Sequence, residues 1–96
     1  MISTLPRSYV TKIRDAALAR AGYSAQIFRA PRTHRATVAR GHVFALMRAH
    51  HDMDCPALTL QQIAFACGQA GHTSLLYPMR LYTKLHGDIA PWSMRS

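Results

Sequence analysis

Apolar residues recur along this chain at intervals of three and four, the repeat of one helix face, and nowhere alternate long enough to suggest a strand. Val10, Ile13, Ala17, Leu18 and Ala21 trace a first stripe, with Ser8 placed to cap the helix and Gly22 to stop it. Lys12, Arg14 and Arg20 then fall toward solvent. Ser24 can cap one further turn that tucks Ile27 and Phe28 into the core, and Pro31 ends it. A longer helix is predicted over residues 37–51, and its middle, Val43 to Met47, is apolar on every side, as in a central helix touched by several others. The following segment, HDMDCPA, reads as a loop with two solvated aspartates, Asp52 and Asp54.

Thr59 with Gln62 three residues on makes a capping box for a helix over 59–67, which buries Leu60, Ile63, Ala64 and Cys67. Gly68 and Gly71 bracket a turn, and a last helix over 72–86 divides into two faces. Leu75, Met79, Tyr82 and Leu85 are expected inside; Thr73, Tyr77, Arg80 and Lys84 form a polar, basic outer stripe. Pro78 conflicts with that helix, because a mid-helix proline removes a backbone bond at a cost of about 3 kcal/mol, so a kink or a late start is expected. Residues 87–96 read as a tail anchored by Trp92. The pattern predicts one all-α domain over 1–96, with its core within about 8–86 and a helix-turn-helix near its end.

Charge adds a function class to this fold. Twelve lysines and arginines face four aspartates and no glutamate, for a formal charge of +8. Nine of the twelve cations lie in residues 1–48, where Asp15 is the one acid. Such polarity favours a polyanionic partner. Residues 29–40, RAPRTHRATVAR, hold four arginines and no acid ahead of the helix-turn-helix. Arginine can grip a phosphate or a guanine edge at two points, which suits nucleic acid. A second helix that opens on His72-Thr73-Ser74 offers small donors of the kind that read base edges in the major groove.

Together these motifs resemble the C-terminal DNA-binding domain of the bacterial replication initiator DnaA. The matching run is Leu60, Ile63, Ala64, Cys67 and Gly68, then Ala70-Gly71-His72-Thr73-Ser74-Leu75-Leu76, against a family pattern of Leu-x-x-Ile-Gly-x-x-Phe-Gly followed by Arg-Asp-His-Thr-Thr-Val. The likeness extends over roughly residues 8 to 86 and implies a Trp-repressor-like helical fold. It implies that Arg32, with Arg35, probes the minor groove, and that His72, Thr73 and Ser74 read bases. It further implies that Arg40, Arg48, Arg80 and the amides near Thr59 and Leu60 hold phosphate, and the outer stripe adds Tyr77 and Lys84. Three features depart from the family: Ala70-Gly71 stands for Arg-Asp, the loop over 52–57 is longer, and Pro78 interrupts the last helix. These changes put recognition of the family's usual DNA box in question more than DNA binding itself.

The implied function is sequence-specific binding of double-stranded DNA by a stand-alone bacterial, phage or plasmid protein that regulates transcription or replication initiation. It would reside in the cytoplasm at the nucleoid, as a monomer with replication or transcription proteins as further partners. No nucleotide, cofactor or metal is expected. A GxxxxGK phosphate loop is absent, and His50, His51, Cys55 and Cys67 match no usual zinc spacing. The four acids are too scattered for an evident catalytic pair, so the chain does not read as an enzyme. Cys67 reads as a small core residue, and His72 in isolation would serve as well for a cap or a buried histidine. No run approaches the ~18 apolar residues of a membrane span, and no secretory leader is evident. The alternative is a protein-interaction module, or a mimic of the initiator domain, without specific DNA recognition. RNA binding would need more exposed stacking aromatics than Tyr77 alone.

Overall fold

The computed structural model describes residues 7–52 and 57–94. Within them lie four α-helices, α1 (Arg7–Ala21), α2 (His34–Ala49), α3 (Leu60–Ala66) and α4 (Thr73–His86), with a 3-10 turn at Ala25–Arg29 between α1 and α2. No described helix is long and apolar enough to cross a membrane.

Helix α2 is the central element, packed against α1, the 3-10 turn, α3 and α4. Val43, Phe44, Leu46 and Met47 are all buried, as the continuous apolar run requires. Around them close Val10, Ile13, Ala17 and Leu18 of α1, Ile63 and Ala64 of α3, Leu75 of α4, and Leu58 and Cys67 beside α3. The α1 stripe is thus buried as predicted except for half-buried Ala21, and Gly22 ends the helix at φ +84°. Phe28 stacks on Phe44 with ring centres 6.1 Å apart, which fixes the 3-10 turn against α2. Cys67 is a core residue whose Sγ lies 3.5 Å from Met47 Sδ. Burial pushes its thiol up to about 12, leaving it protonated and unreactive at neutral pH.

Several local expectations are corrected. Ser8 lies inside the first turn of α1 rather than at its cap. Ser24 occupies the cap position of the 3-10 turn without a side-chain hydrogen bond. Helix α2 starts at His34, three residues early, because the Thr33 hydroxyl accepts a bond from the Ala36 amide. Arg14 and Arg20 are not simply solvated: Arg14 donates to the Ala66 carbonyl at 2.9 Å, and Arg20 covers the Trp92 ring at 4.9 Å. Asp52 is buried, not solvated, while Asp54 and Cys55 fall outside the described residues.

The tail is anchored as expected. Buried Trp92 donates its indole N–H to the Leu46 carbonyl at 2.7 Å, and the His51 amide donates to the Trp92 carbonyl at 2.8 Å. This closes one isolated bridge between His50 and Trp92. His50 is enclosed beneath it, its ring edge-on to Trp92 and to Tyr9 of α1. Its Nε2 is buried without a hydrogen-bond partner, and burial lowers its pKa despite the opposing pull of Asp52.

Pro78 breaks nothing: α4 runs continuously from Thr73 to His86. The reason lies across the interface, at Gly41 of α2. A Cβ added there would sit 1.9 Å from the Pro78 carbonyl oxygen and 3.1 Å from Tyr82 Cβ. Only a glycine lets the two helix backbones meet so closely, and the area buried along that crossing offsets the proline's cost. Gly41→Ala is therefore expected to force α2 and α4 apart and to cost at least the ~1–3 kcal/mol typical of overpacking. Chemical denaturation of the variant beside wild type measures this, and an unchanged midpoint would show that the crossing is not tight.

Candidate nucleic-acid interface

The N-terminus of α2 and the N-terminus of α4 face each other across an open groove of ≈ 830 Å³. Arg29, Arg32, Thr33, His34, Thr37 and Arg40 form one wall, while Gln69, Ala70, Thr73, Ser74, Tyr77 and Pro78 form the other. No acid lines it. The polypeptide folds this way because two local signals are held in register by one helix crossing. Thr33 caps α2 immediately after the arginine-bearing 3-10 turn, and Gly68, at φ +71°, turns the chain from α3 toward α4. The Gly41–Pro78 contact then brings both helix starts to one side.

Of the residues singled out by sequence, Arg32, Arg40, Thr73, Ser74 and Tyr77 meet in this groove. Arg35 is exposed on the first turn of α2 rather than on an extended arm, since the helix begins early. His72 precedes α4 in helical conformation, is exposed, and makes no capping hydrogen bond. It therefore serves neither as a side-chain cap nor as a buried histidine. Arg80 and Lys84 are exposed on the α4 face that also carries Thr73 and Tyr77, so the outer stripe stands as predicted. The inner stripe is correct for Leu75, fully buried, but not for Leu85, which is 52 % exposed.

Arg40 requires the main correction. It is only 8 % exposed, and its guanidinium donates to the carbonyls of Ile27 at 3.2 Å and Ala30 at 3.1 Å. Burial, followed by the nearby Arg32, lowers its pKa from the usual arginine value. Arg40 thus ties the 3-10 turn and the arm to α2, and positions Arg29 and Arg32 rather than reaching outward itself.

Arg48, Thr59 and Leu60 do not reach the groove but gather at the start of α3. Arg48 donates to the Leu58 carbonyl at 2.5 Å. The expected capping box is present: Thr59 accepts from the Gln62 amide at 3.1 Å, and the Gln62 side chain accepts from the Thr59 amide at 2.9 Å. The Thr59 amide is therefore already occupied, which removes it from the phosphate-holding set.

Sequence reasoning missed Arg29, Thr33, His34, Thr37 and Gln69 as groove residues. Thr33, Thr37 and Arg40 fall at i, i+4 and i+7, a stripe that becomes visible once Thr33 is taken as the cap. Among the described residues no cluster of three or more His, Cys or Asp side chains could hold a metal ion. The groove offers guanidinium groups, hydroxyls and an exposed phenol, a set suited to binding an anionic polymer by hydrogen bonds and charge. No protein-family profile, curated protein or solved structure matches this chain, so the likeness to the DnaA domain rests on its own motifs.

Replacing Arg40 by Met keeps the buried stem and removes the bonds that hold the arm. A loss of about 1.5–3 kcal/mol in folding stability is expected, the range for hydrogen bonds to a charged group. A thermal or urea melt at full stability would return Arg40 to the list of outward-reaching cations.

Proposed function

We propose that this protein binds double-stranded DNA with sequence preference, in the manner of DnaA-like helix-turn-helix domains, and acts in the control of transcription or replication initiation. The observation that carries the reading is the acid-free groove, which joins an arginine-bearing arm to the first turn of a helix rich in small donors. On this reading, His72, Thr73 and Ser74 approach base edges in the major groove, where a threonine methyl can also touch thymine. Arg29 and Arg32 follow the backbone toward the adjacent minor groove, where the negative potential is strongest when the groove is narrow. Arg35, Arg80 and Lys84 serve as phosphate contacts, positioning the protein without reading sequence. Tyr77, 64 % exposed between the reading turn and Arg80, supplies an apolar face with a polar tip on that surface.

Selection of bound duplexes from a random pool, at low and at physiological salt, tests the proposal directly. An enriched motif with steep salt dependence is expected. Binding that enriches no motif would reduce the claim to nonspecific DNA association, and no binding at either salt would leave a protein-interaction role. Two variants separate the assigned parts. Thr73→Ala should cost about 1–3 kcal/mol at one or two base positions of the selected site, whereas Arg80→Ala should weaken binding to all sequences alike and reduce the salt slope by about 1. Equal losses at every base position for both variants would refute the division of roles.

A further inference from the structure

Away from the groove, four rings join three elements. His42 of α2 stacks flat on Tyr82 of α4, with centres 4.5 Å apart and planes 8° from parallel. His86, one turn further along α4, packs on the same Tyr82 ring at 4.9 Å. Tyr23, just past the end of α1, meets His42 edge-on at 5.9 Å. None of these residues lines the groove, and none belongs to the interface assigned above. We propose that this ring stack is a proton-operated latch: protonation of His42 releases the C-terminal half of α4 from α2.

The latch follows from where the stack sits. His42 is the neighbour of Gly41, where the α2 backbone comes tightly against Pro78 and Tyr82 of α4. Beyond that point α4's own side chains add little hold, since Thr83, Lys84, Leu85 and His86 are all exposed, and the next anchors are Ile89 and Trp92 of the tail. Tyr82 and its stacking partner are thus a main side-chain tie between the end of α4 and the body of the domain. A neutral imidazole stacks on a phenol as an uncharged aromatic pair. An imidazolium in the same place must shed its hydration and share one ring with a second imidazole.

The groups that face His42 are Tyr23 from beyond α1, and Tyr82 and His86 from α4. No carboxylate is among them to compensate a positive charge. Burial first, and His86 second, accordingly lower the His42 pKa from its ordinary value of 6.5. Attraction between an imidazolium and the phenol face acts in the opposite direction, and the titration of His42 decides between the two. With the folded-state pKa below the unfolded one, the stabilisation is fully present above pH 6.5 and is lost as pH falls through that value toward the folded pKa. His50 is lowered in the same direction. It caps the C-terminus of α2, about two turns beyond His42, and bridges to Trp92 of the tail rather than to α4.

The latch does not depend on the DNA-binding reading. Any fall of DNA affinity on acidification would rest on that reading in addition, but the test below contains no DNA. NMR titration of the histidine ring protons in the full chain should place the His42 midpoint below 6.5 and move it upward in His86→Gln. Amide hydrogen exchange, corrected for intrinsic rates, should show residues 79–86 losing protection relative to α1 between about pH 7.5 and about pH 5.5. His42→Phe keeps a ring on Tyr82 but cannot titrate, so the selective loss should vanish in that variant, whereas any His50 contribution persists in both proteins. A His42 midpoint at or above 6.5, or the same α4 loss in His42→Phe, would overturn the latch. Should His42→Phe fail to fold, His86→Gln decides alone, because an unmoved His42 midpoint overturns the coupling across Tyr82.

Discussion

The place where Gly41 meets the Pro78 carbonyl sets the geometry of the rest of the molecule. A glycine in a helix interior and a proline in another are each locally unfavourable, by about 1 and about 3 kcal/mol respectively. Facing each other, they become one feature. The missing Cβ admits the partner backbone, and the close crossing fixes where α4 begins relative to α2. The groove between the two helix starts follows from that register, and so does the stacking of His42 on Tyr82 immediately beside it.

The cations divide by use once the fold is known. Arg14 ties α1 to the end of α3, Arg40 ties the 3-10 turn to α2, Arg48 ties α2 to the entry of α3, and Arg7 lies over the Phe65 ring at 4.2 Å. Arg20 shields Trp92 in the same fashion. The planar guanidinium suits such work, because it can cap a carbonyl or cover a ring while its stem remains packed. Arg29 at the end of the 3-10 turn, Arg32 in the link to α2 and Arg35 in its first turn are, by contrast, exposed, as are Arg80 and Lys84 along α4. The net charge therefore overstates the number of cations that stay open to solvent, and those that do lie mostly ahead of α2 and along α4.

Local signals were legible wherever the partners lie within one helical turn. The Thr59–Gln62 capping box, the stop at Gly22 and the inward stripe of α1 depend on neighbours three or four residues away, which sequence displays directly. Errors arose where burial depends on residues far along the chain. Leu85 has the spacing of a core position, yet no distant element covers it and it stays half exposed. Arg40 has the spacing of a surface cation, yet the carbonyls that claim it, at Ile27 and Ala30, come from another element. The early start of α2 was missed for a smaller reason. Thr33 and Thr37 both look like caps, and only the bond from the Ala36 amide chooses between them.

What the amino-acid order determined by itself was the helical class, the continuous apolar centre of α2, the turn before α4 and the excess of arginine ahead of it. These follow from periodicity, capping and charge, which act over short distances. Tertiary structure alone decided which arginines remain free, that Pro78 is tolerated, and that the arginine-bearing segment and the start of α4 share one groove. The first needs carbonyls brought in from other elements, and the other two need two backbones, distant in sequence, to meet at a glycine. Helical spacing marks a glycine as a weakness, and only the facing helix makes it a contact.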